Sequence, residues 1–446
     1  MSKYVGAWAI YDEDYTEGLD VAFSRYKEAG IQRIMYGGVA HSFSVHQEHY
    51  TDTCIDPMLE IDYEAANGDQ FGTKCHLINS DITEVRKLAA SYNIDIGLNI
   101  TPGVSEPIIA KHPDLAVEDI EGRKSNHWMC PSNPDVRAYF NGRIEDIISN
   151  NAGIKEIELD VVGLDFYDPQ VVPDWVLPEL YPLRQLAIGN CFCKHCTEMA
   201  EKNGIDVNTL KPIIRSLYKE ATTLTYDKFT DLSILYRGVF DIVRIFLKYP
   251  ILLDWLKHRA SVVGSFVNEV NKKVKAIDPS ILISSDLVAP SFSWALGQIY
   301  ADQPLFSDIT KLMFYHKRIG AFESKPLRKI QVEIPEIADK EILDQYYRLK
   351  GFSGPDSMNE LSEKGLDVEN VYYETRKAKI EVGDNHKIVV GLVGDQPATA
   401  KDVEEAVLMA HKGGADGYCL HLWYGNAPKE NILAFGNMLK KIGEIE

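Results

Sequence analysis

The sequence predicts an α/β protein, a (β/α)8 TIM barrel. Short β-rich runs alternate with helical stretches over the whole chain, and eight such runs can be read. No glycine-rich phosphate loop follows the first of them, which argues against an open doubly wound sheet, the other fold that alternates in this way.

The first strand is read at 4–14 (YVGAWAIYDED), followed by a helix over 18–29. The second strand, 31–39, leads into a long polar loop rich in Asp, Thr and Gly that ends at the capping signal Asn79-Ser80-Asp81. A helix over 81–92 precedes the third strand, 95–100. The next helix opens near Pro134, because Asn133 is a good N-cap and proline suits the first helical position. Strands four to eight are read at 154–162, 281–287, 308–316, 387–395 and 417–425, and a helix over 428–442 closes the chain. Gly30, Asn93, Gly153 and Gly414 stand just before strands, as helix-to-strand turns require.

Two connections exceed what a plain barrel needs. The fourth, 163–279, holds at least three helices, of which 253–279 packs on the barrel. The sixth, 317–386, includes a proline-rich piece and a helix over 339–350. The expected organisation is therefore one catalytic barrel over 1–446, with a helical insertion at 163–252 and a smaller one at 317–386. Insertions that follow strands sit on the catalytic face and build a cleft there.

Composition narrows the function. Of 446 residues, 66 are acidic and 47 basic, a formal charge of −19, while 45% are hydrophobic and 10% aromatic. Such a chain buries a large core and repels phosphate backbones and anionic membranes, so neither nucleic acid nor membrane is an expected partner. A neutral or cationic small-molecule or oligosaccharide substrate fits better. No signal-peptide pattern is read at the N-terminus. The most apolar stretch, 238–256, is interrupted by Asp241, Arg244, Lys248, Pro250 and Asp254. It reads as buried helix rather than a membrane span. Seven cysteines are too few and too uneven for a disulfide framework, and the expected compartment is the cytoplasm.

Three of those cysteines form Cys191-Phe-Cys193-Lys-His-Cys196 at the opening of a helix, and Cys130 lies 61 residues upstream of Cys191. Thiolates at C-x-C-x-x-C spacing can converge on one centre, and a fourth completes a tetrahedral structural zinc site. His195 is the alternative fourth ligand. Cys54, Cys75 and Cys419 read as ordinary apolar residues, and no organic cofactor is expected.

This arrangement resembles the four-cysteine zinc site of family-42 β-galactosidases, which are (β/α)8 glycoside hydrolases. The run Trp128-Met-Cys-Pro-Ser-Asn-Pro-x-Val-Arg137, the I-x-L-D strand ending at Asp160 and the C-F-C-x-x-C that follows resemble uncharacterised glycosidase-like barrel families more closely. So does the passage 255–284. The resemblance touches roughly residues 110–290 and implies the barrel, the zinc site and a sugar-cleaving activity. It does not extend to the catalytic pair: strand four carries Glu158-Leu-Asp160 in place of an Asn-Glu pair, and strand seven ends Gly394-Asp395 without a glutamate.

The candidate acids come from strand alternation instead. In strand four Glu158 and Asp160 share the inward parity; in strand five Leu282, Ser284 and Asp286 do. Two neighbouring strands thus each deliver an aspartate to the C-terminal rim, where barrel enzymes do their chemistry. Adjacent strands lie about 4.8 Å apart, close to the carboxyl separation of about 5–5.5 Å used by retaining glycosidases. Asp160 as nucleophile or base and Asp286 as its partner are the expected catalytic residues, with the roles interchangeable. Asp12, Glu13, Asp165 and Asp395 are alternative rim acids. Expected substrate contacts are Tyr11, Asp12, Tyr36, Asn99, Trp128, Asp165, Tyr315, His316, Asp395, His421, Trp423 and Tyr424, a mixture of aromatic faces and polar partners suited to a sugar.

The expected function is cleavage of an O-glycosidic bond in a neutral sugar substrate by two carboxylates. Two alternatives stand beside it. A metal-dependent lyase, isomerase or deacetylase would use His41, His316 or His421 as ligands, though no H-x-H pair occurs. A non-catalytic carbohydrate-binding barrel would bind without turnover. Barrels of this kind often form homo-oligomers, a property the sequence leaves open.

Overall fold

Eight parallel strands close on one another in a computed structural model of the chain. The structure describes residues 3–10, 17–37, 79–100, 106–150, 153–160, 189–221, 225–238, 240–422 and 427–446, with Asp14, Pro102, Gly103, Val162, Gly163, Ala187 and Thr223 between them. In chain order the strands are β1 (Tyr4–Ile10), β2 (Arg33–Gly37), β3 (Asp95–Ile100), β4 (Ala116–Glu118), β5 (Lys124–Met129), β6 (Glu156–Leu159), β7 (Leu282–Val288), β8 (Ile309–Met313), β9 (Lys387–Val393) and β10 (Gly417–His421). The barrel runs β1-β2-β3-β6-β7-β8-β9-β10 and back to β1, while β4 and β5 pair antiparallel beside it.

The barrel and its eight strands agree with the sequence reading; several boundaries do not. The sixth barrel strand stops at Met313, because His316 already opens the helix His316–Glu333. The fourth is only Glu156–Leu159, so Asp160 stands in the turn beyond it. The β4–β5 hairpin was not foreseen. Its turn is built by Asp119, whose carboxylate accepts from the N–H groups of Glu121 and Arg123 at 2.9 Å each, and by Gly122 at φ 80°. Asn133 caps the helix Pro134–Asn150 as expected, accepting from the Asp135 N–H at 2.9 Å.

The fourth connection carries helices Lys194–Lys202, Val207–Ala221, Tyr226–Leu235, Val243–Lys248 and Ile251–Ile277. The apolar stretch 238–256 is not one buried helix. It breaks before Pro250, and Phe240 and Leu247 are 85% and 76% exposed. Among the described residues no helix is long and apolar enough to cross a membrane.

Alternation divides the strand side chains into two populations. Val5, Ile34, Leu98, Ile157, Ile283, Leu312, Val390 and Leu420 face outward and pack under the helices. Trp8, Met35, Ile309, Val389 and Cys419 meet inside the barrel. Charge is buried with them. Lys311, Glu156 and Glu158 are fully enclosed, and the Lys311 ammonium lies 2.9 Å from Glu156 and also pairs with Glu158. Glu156 accepts further bonds from Arg33 at 2.7 Å, Ser284 Oγ at 2.6 Å and the Tyr4 hydroxyl at 3.1 Å. Glu158 accepts from Asn99 Nδ2 at 2.5 Å and from the Trp8 indole N–H.

Burial alone would raise the Glu156 carboxyl; the Lys311 and Arg33 cations outweigh it and hold the group at about 2. Its folded value is thus below its ordinary 4.5. The stability it contributes is present above that ordinary value and is lost as pH falls through about 2. Lys311→Met strands two carboxylates without their shared counter-ion. It is expected to cost about 3–5 kcal/mol at pH 7, measured by urea unfolding; a loss below about 1 kcal/mol would show that the acids do not depend on it.

Candidate active site

The β6–β7 register brings the two predicted aspartates to one level. Glu158 pairs with Ser284 and Leu159 with Ser285, so Asp160 comes next beside Asp286. Asp160 is held where β6 ends by its own N–H, which donates to Ile100 O at 2.9 Å. Both side chains are buried, at 9% and 2% exposure. Burial raises the Asp286 carboxyl well above its ordinary range, and the charges of Asp160 and Glu156 push it the same way. One Asp286 oxygen, Oδ1, is enclosed without a hydrogen-bond partner. Such a setting favours the protonated form of the carboxyl over the charged one.

A residue that sequence reasoning missed braces the pair. The Gln298 side chain donates from Nε2 to Val162 O at 3.1 Å and accepts at Oε1 from the Val288 N–H at 3.0 Å. Val162 and Val288 each stand two residues beyond their aspartate, so one fully buried amide spans the chain past both acids. Tyr300 adds a bond from its hydroxyl to Val288 O at 2.9 Å. A glutamine in a loop has no sequence signal for such a role.

Across the barrel, Trp8, Tyr315 and His421 form an aromatic cluster. The Tyr315 and His421 rings are 4.6 Å apart, and each lies 6.1 Å from Trp8. His421 Nδ1 is 2.7 Å from Asp395 Oδ2. Burial lowers the His421 imidazole below its ordinary range while Asp395 pulls the other way, which leaves it neutral. Asn99 is committed to Glu158.

Other predicted contacts are placed elsewhere. Tyr36 shares the outward parity of Ile34 and packs in the helical layer, its hydroxyl donating to Asp14 at 2.6 Å; Arg33 and Met35 are the inward residues of β2. His316 is buried in the first turn of its helix with neither ring nitrogen bonded. Burial and then Lys317 lower its imidazole to about 4, and its charged neighbours are Lys317 and Asp402 rather than the aspartate pair. Trp128 stands on β5, half-buried. Tyr11, Asp12, Asp165, Trp423 and Tyr424 lie outside the described residues, as do Glu13, His41, Cys54 and Cys75.

The four cysteines converge. Cys130 Sγ lies 3.4, 3.6 and 3.7 Å from those of Cys196, Cys193 and Cys191, and all four are buried. A tetrahedron of sulfurs about 2.3 Å from a central zinc has edges of about 3.8 Å, so the spacing fits one ion. Backbone N–H groups of Ser132, Cys196 and Glu118 point at three of the sulfurs at 3.4–3.5 Å, which suits thiolates. The site ties the β4–β5 hairpin to the helix Lys194–Lys202.

No protein-family model matches the chain, and no curated protein matches it in sequence. Solved structures do. A β-galactosidase from the psychrophilic Marinomonas ef1 superposes with TM-score 0.55 at 11% identity, over 99% of this chain and 60% of that one. A GH42 β-galactosidase from G. stearothermophilus gives 0.53 at 10%, over 99% and 57%. The catalytic domain of a β-amylase from Paenibacillus polymyxa gives 0.52 at 10%, over 99% of both chains. The chain thus spans about three fifths of the length of the β-galactosidases it resembles, and what it shares with all three is the (β/α)8 barrel fold.

Gln298→Ala removes both bonds of the brace and opens a cavity, while Gln298→Glu keeps the acceptor and loses the donor. The alanine variant is expected to lose about 2–3 kcal/mol of stability by urea unfolding, and the glutamate variant to recover part of it. Equal losses would assign the effect to packing instead.

Proposed function

We propose that this protein is a glycoside hydrolase that cleaves an O-glycosidic bond of a neutral sugar substrate with Asp286 as general acid and Asp160 as its ionised partner. The observation that carries the reading is the level placement of two buried rim aspartates, one of them raised above its ordinary range by burial and by the other's charge. Asp286 gives its proton to the glycosidic oxygen as the bond to the anomeric carbon breaks, and Asp160 acts as nucleophile or as base for an attacking water; the hydroxyl of that water ends on the anomeric carbon and its proton restores the acid. Likeness to β-galactosidases and a β-amylase supports a carbohydrate substrate, and the net charge of −19 favours an uncharged one. Tyr315, Asp395 and His421 are read as contacts for sugar hydroxyls, and segments 163–252 and 317–386 as insertions that wall the cleft.

The four cysteines are read as holders of a structural zinc ion, which would supply cross-linking and no chemistry to the reaction. Cys130, Cys191, Cys193 and Cys196, read as metal-binding thiolates rather than disulfides, and Cys419, buried outside any disulfide, support a reducing compartment such as the cytoplasm.

Against a panel of nitrophenyl glycosides and disaccharides, Asp160→Asn and Asp286→Asn are each expected to lower kcat at least a hundredfold on whichever substrate the wild type cleaves. Full activity in both variants would overturn the assignment. Glu156 helps raise Asp286, so Glu156→Gln is expected to move the basic limb of the kcat/KM profile to lower pH; an unmoved limb would show that Asp286 is not the acid.

Metal analysis of the purified protein is expected to give one zinc per chain. Cys193→Ser should lower both zinc content and Tm, and brief chelation should depress Tm before activity. Immediate loss of activity on chelation, with Tm unchanged, would favour a catalytic metal.

A further inference from the structure

We infer that the fourth connection carries a docking surface for a second copy of this chain, centred on the helix Val243–Lys248. The surface stands apart from the aspartate pair, and its support is separate from theirs.

The apolar stretch 238–256 has two apolar sides, and one chain covers only one of them. On the inner side Ile245, Leu252 and Trp255 join Leu232 and Tyr236 in a second hydrophobic core, with Ile242, Phe246 and Tyr249 packed against it. The outer side is set by helical spacing. The Val243 N–H donates to Phe240 O at 3.1 Å, which closes a turn, and Leu247 follows Val243 by four residues. Positions three and four apart share a face, so Phe240, Val243 and Leu247 form one outward stripe, and all three are exposed. Ile234, Leu235 and Leu253, at the flanking helix ends, are exposed as well. Among the described residues, six of the fourteen exposed large hydrophobic side chains fall between Ile234 and Leu253. Such clustering is not the scatter expected of an ordinary surface, and a helix apolar on two sides belongs between two bodies.

Area and charge identify the occupant. At their exposures the six side chains offer roughly 600 Å2 of apolar surface, the upper end of what a soluble monomer shows as its largest patch. A dimer of ordinary size buries about 800 Å2 per partner, about 65% of it apolar, so this surface suffices by itself. Two copies of a chain carrying −19 repel wherever their acidic faces meet. Between residues 231 and 254 that excess vanishes, because Arg237, Arg244 and Lys248 balance Asp231, Asp241 and Asp254. A neutral apolar face is where such chains can meet. Across a two-fold axis the mixed signs at its rim let basic groups of one copy face acidic groups of the other. An anionic membrane would call for a net positive patch, which this balance does not supply.

The test is the mass of the particle in solution, by sedimentation equilibrium. At about 10 μM the wild type is expected to run as two chains per particle. Phe240→Asp combined with Leu247→Asp sets like charges on the stripe and is expected to raise the dimer Kd at least a hundredfold, giving single chains at the same concentration. Both side chains already stand in solvent, so circular dichroism and urea unfolding should show an intact fold. Leu247→Glu alone reads the same contact if the double variant does not fold. Phe322→Asp, exposed on the helix His316–Glu333, is the control and should leave the dimer intact. A wild type that stays a single chain up to about 100 μM overturns the inference. So does a dimer that survives the double variant, or a ring of three or more chains. A single-chain wild type that cosediments with phosphatidylserine vesicles, and loses them in the double variant, assigns the face to a membrane instead.

Discussion

The buried lysine of β8 is the constraint on which the barrel interior depends. Four carboxyls, Glu156, Glu158, Asp160 and Asp286, enter the lumen from two adjacent strands. Lys311 and Arg33 are the cations that meet them there. The cations serve the two glutamates lower in the barrel, and those neutralised glutamates set the floor under the aspartates. Among the described residues no cation is bonded to Asp286, and burial with the charges of Asp160 and Glu156 raises its carboxyl above the ordinary range. The lower layer holds charge in pairs, and the upper layer keeps an unequal pair.

That division leaves two buried carboxyls side by side at the rim, above the ion-paired glutamates. The same strands that deliver the aspartates are braced beyond them by one amide. The imidazole and phenol of His421 and Tyr315 lie on the far side of the lumen, the imidazole bonded to Asp395.

Much of this was legible because the pleat imposes a strict period of two. Glu158, Asp160, Ser284 and Asp286 follow from parity alone, and the cysteine spacing announced its own convergence. The same period turns Tyr36 the other way. Its nearness to a strand end was weighed, but its parity with Ile34 was not, and parity turned it outward. Strand ends were read too long where a helix begins early, as at His316, because packing sets that boundary and local composition does not. Gln298 and Lys311 were overlooked for different reasons. A bridging amide leaves no pattern, and a lone lysine inside an apolar run reads as an interruption until its partners on β6 are known.

The four-sulfur cluster has a consequence for the order in which the chain acquires shape. Its last ligand is Cys196, and by then four barrel strands, β1, β2, β3 and β6, have been made while four have not. During synthesis from the N-terminus the cluster can close on the hairpin while the barrel is still an open half-shell. A metal bound then would hold that half-shell's exposed edge at β6 against a fixed scaffold until β7 arrives to cover it. Supply of the ion would act on the yield of folded chains, a quantity set during synthesis and invisible in the finished fold.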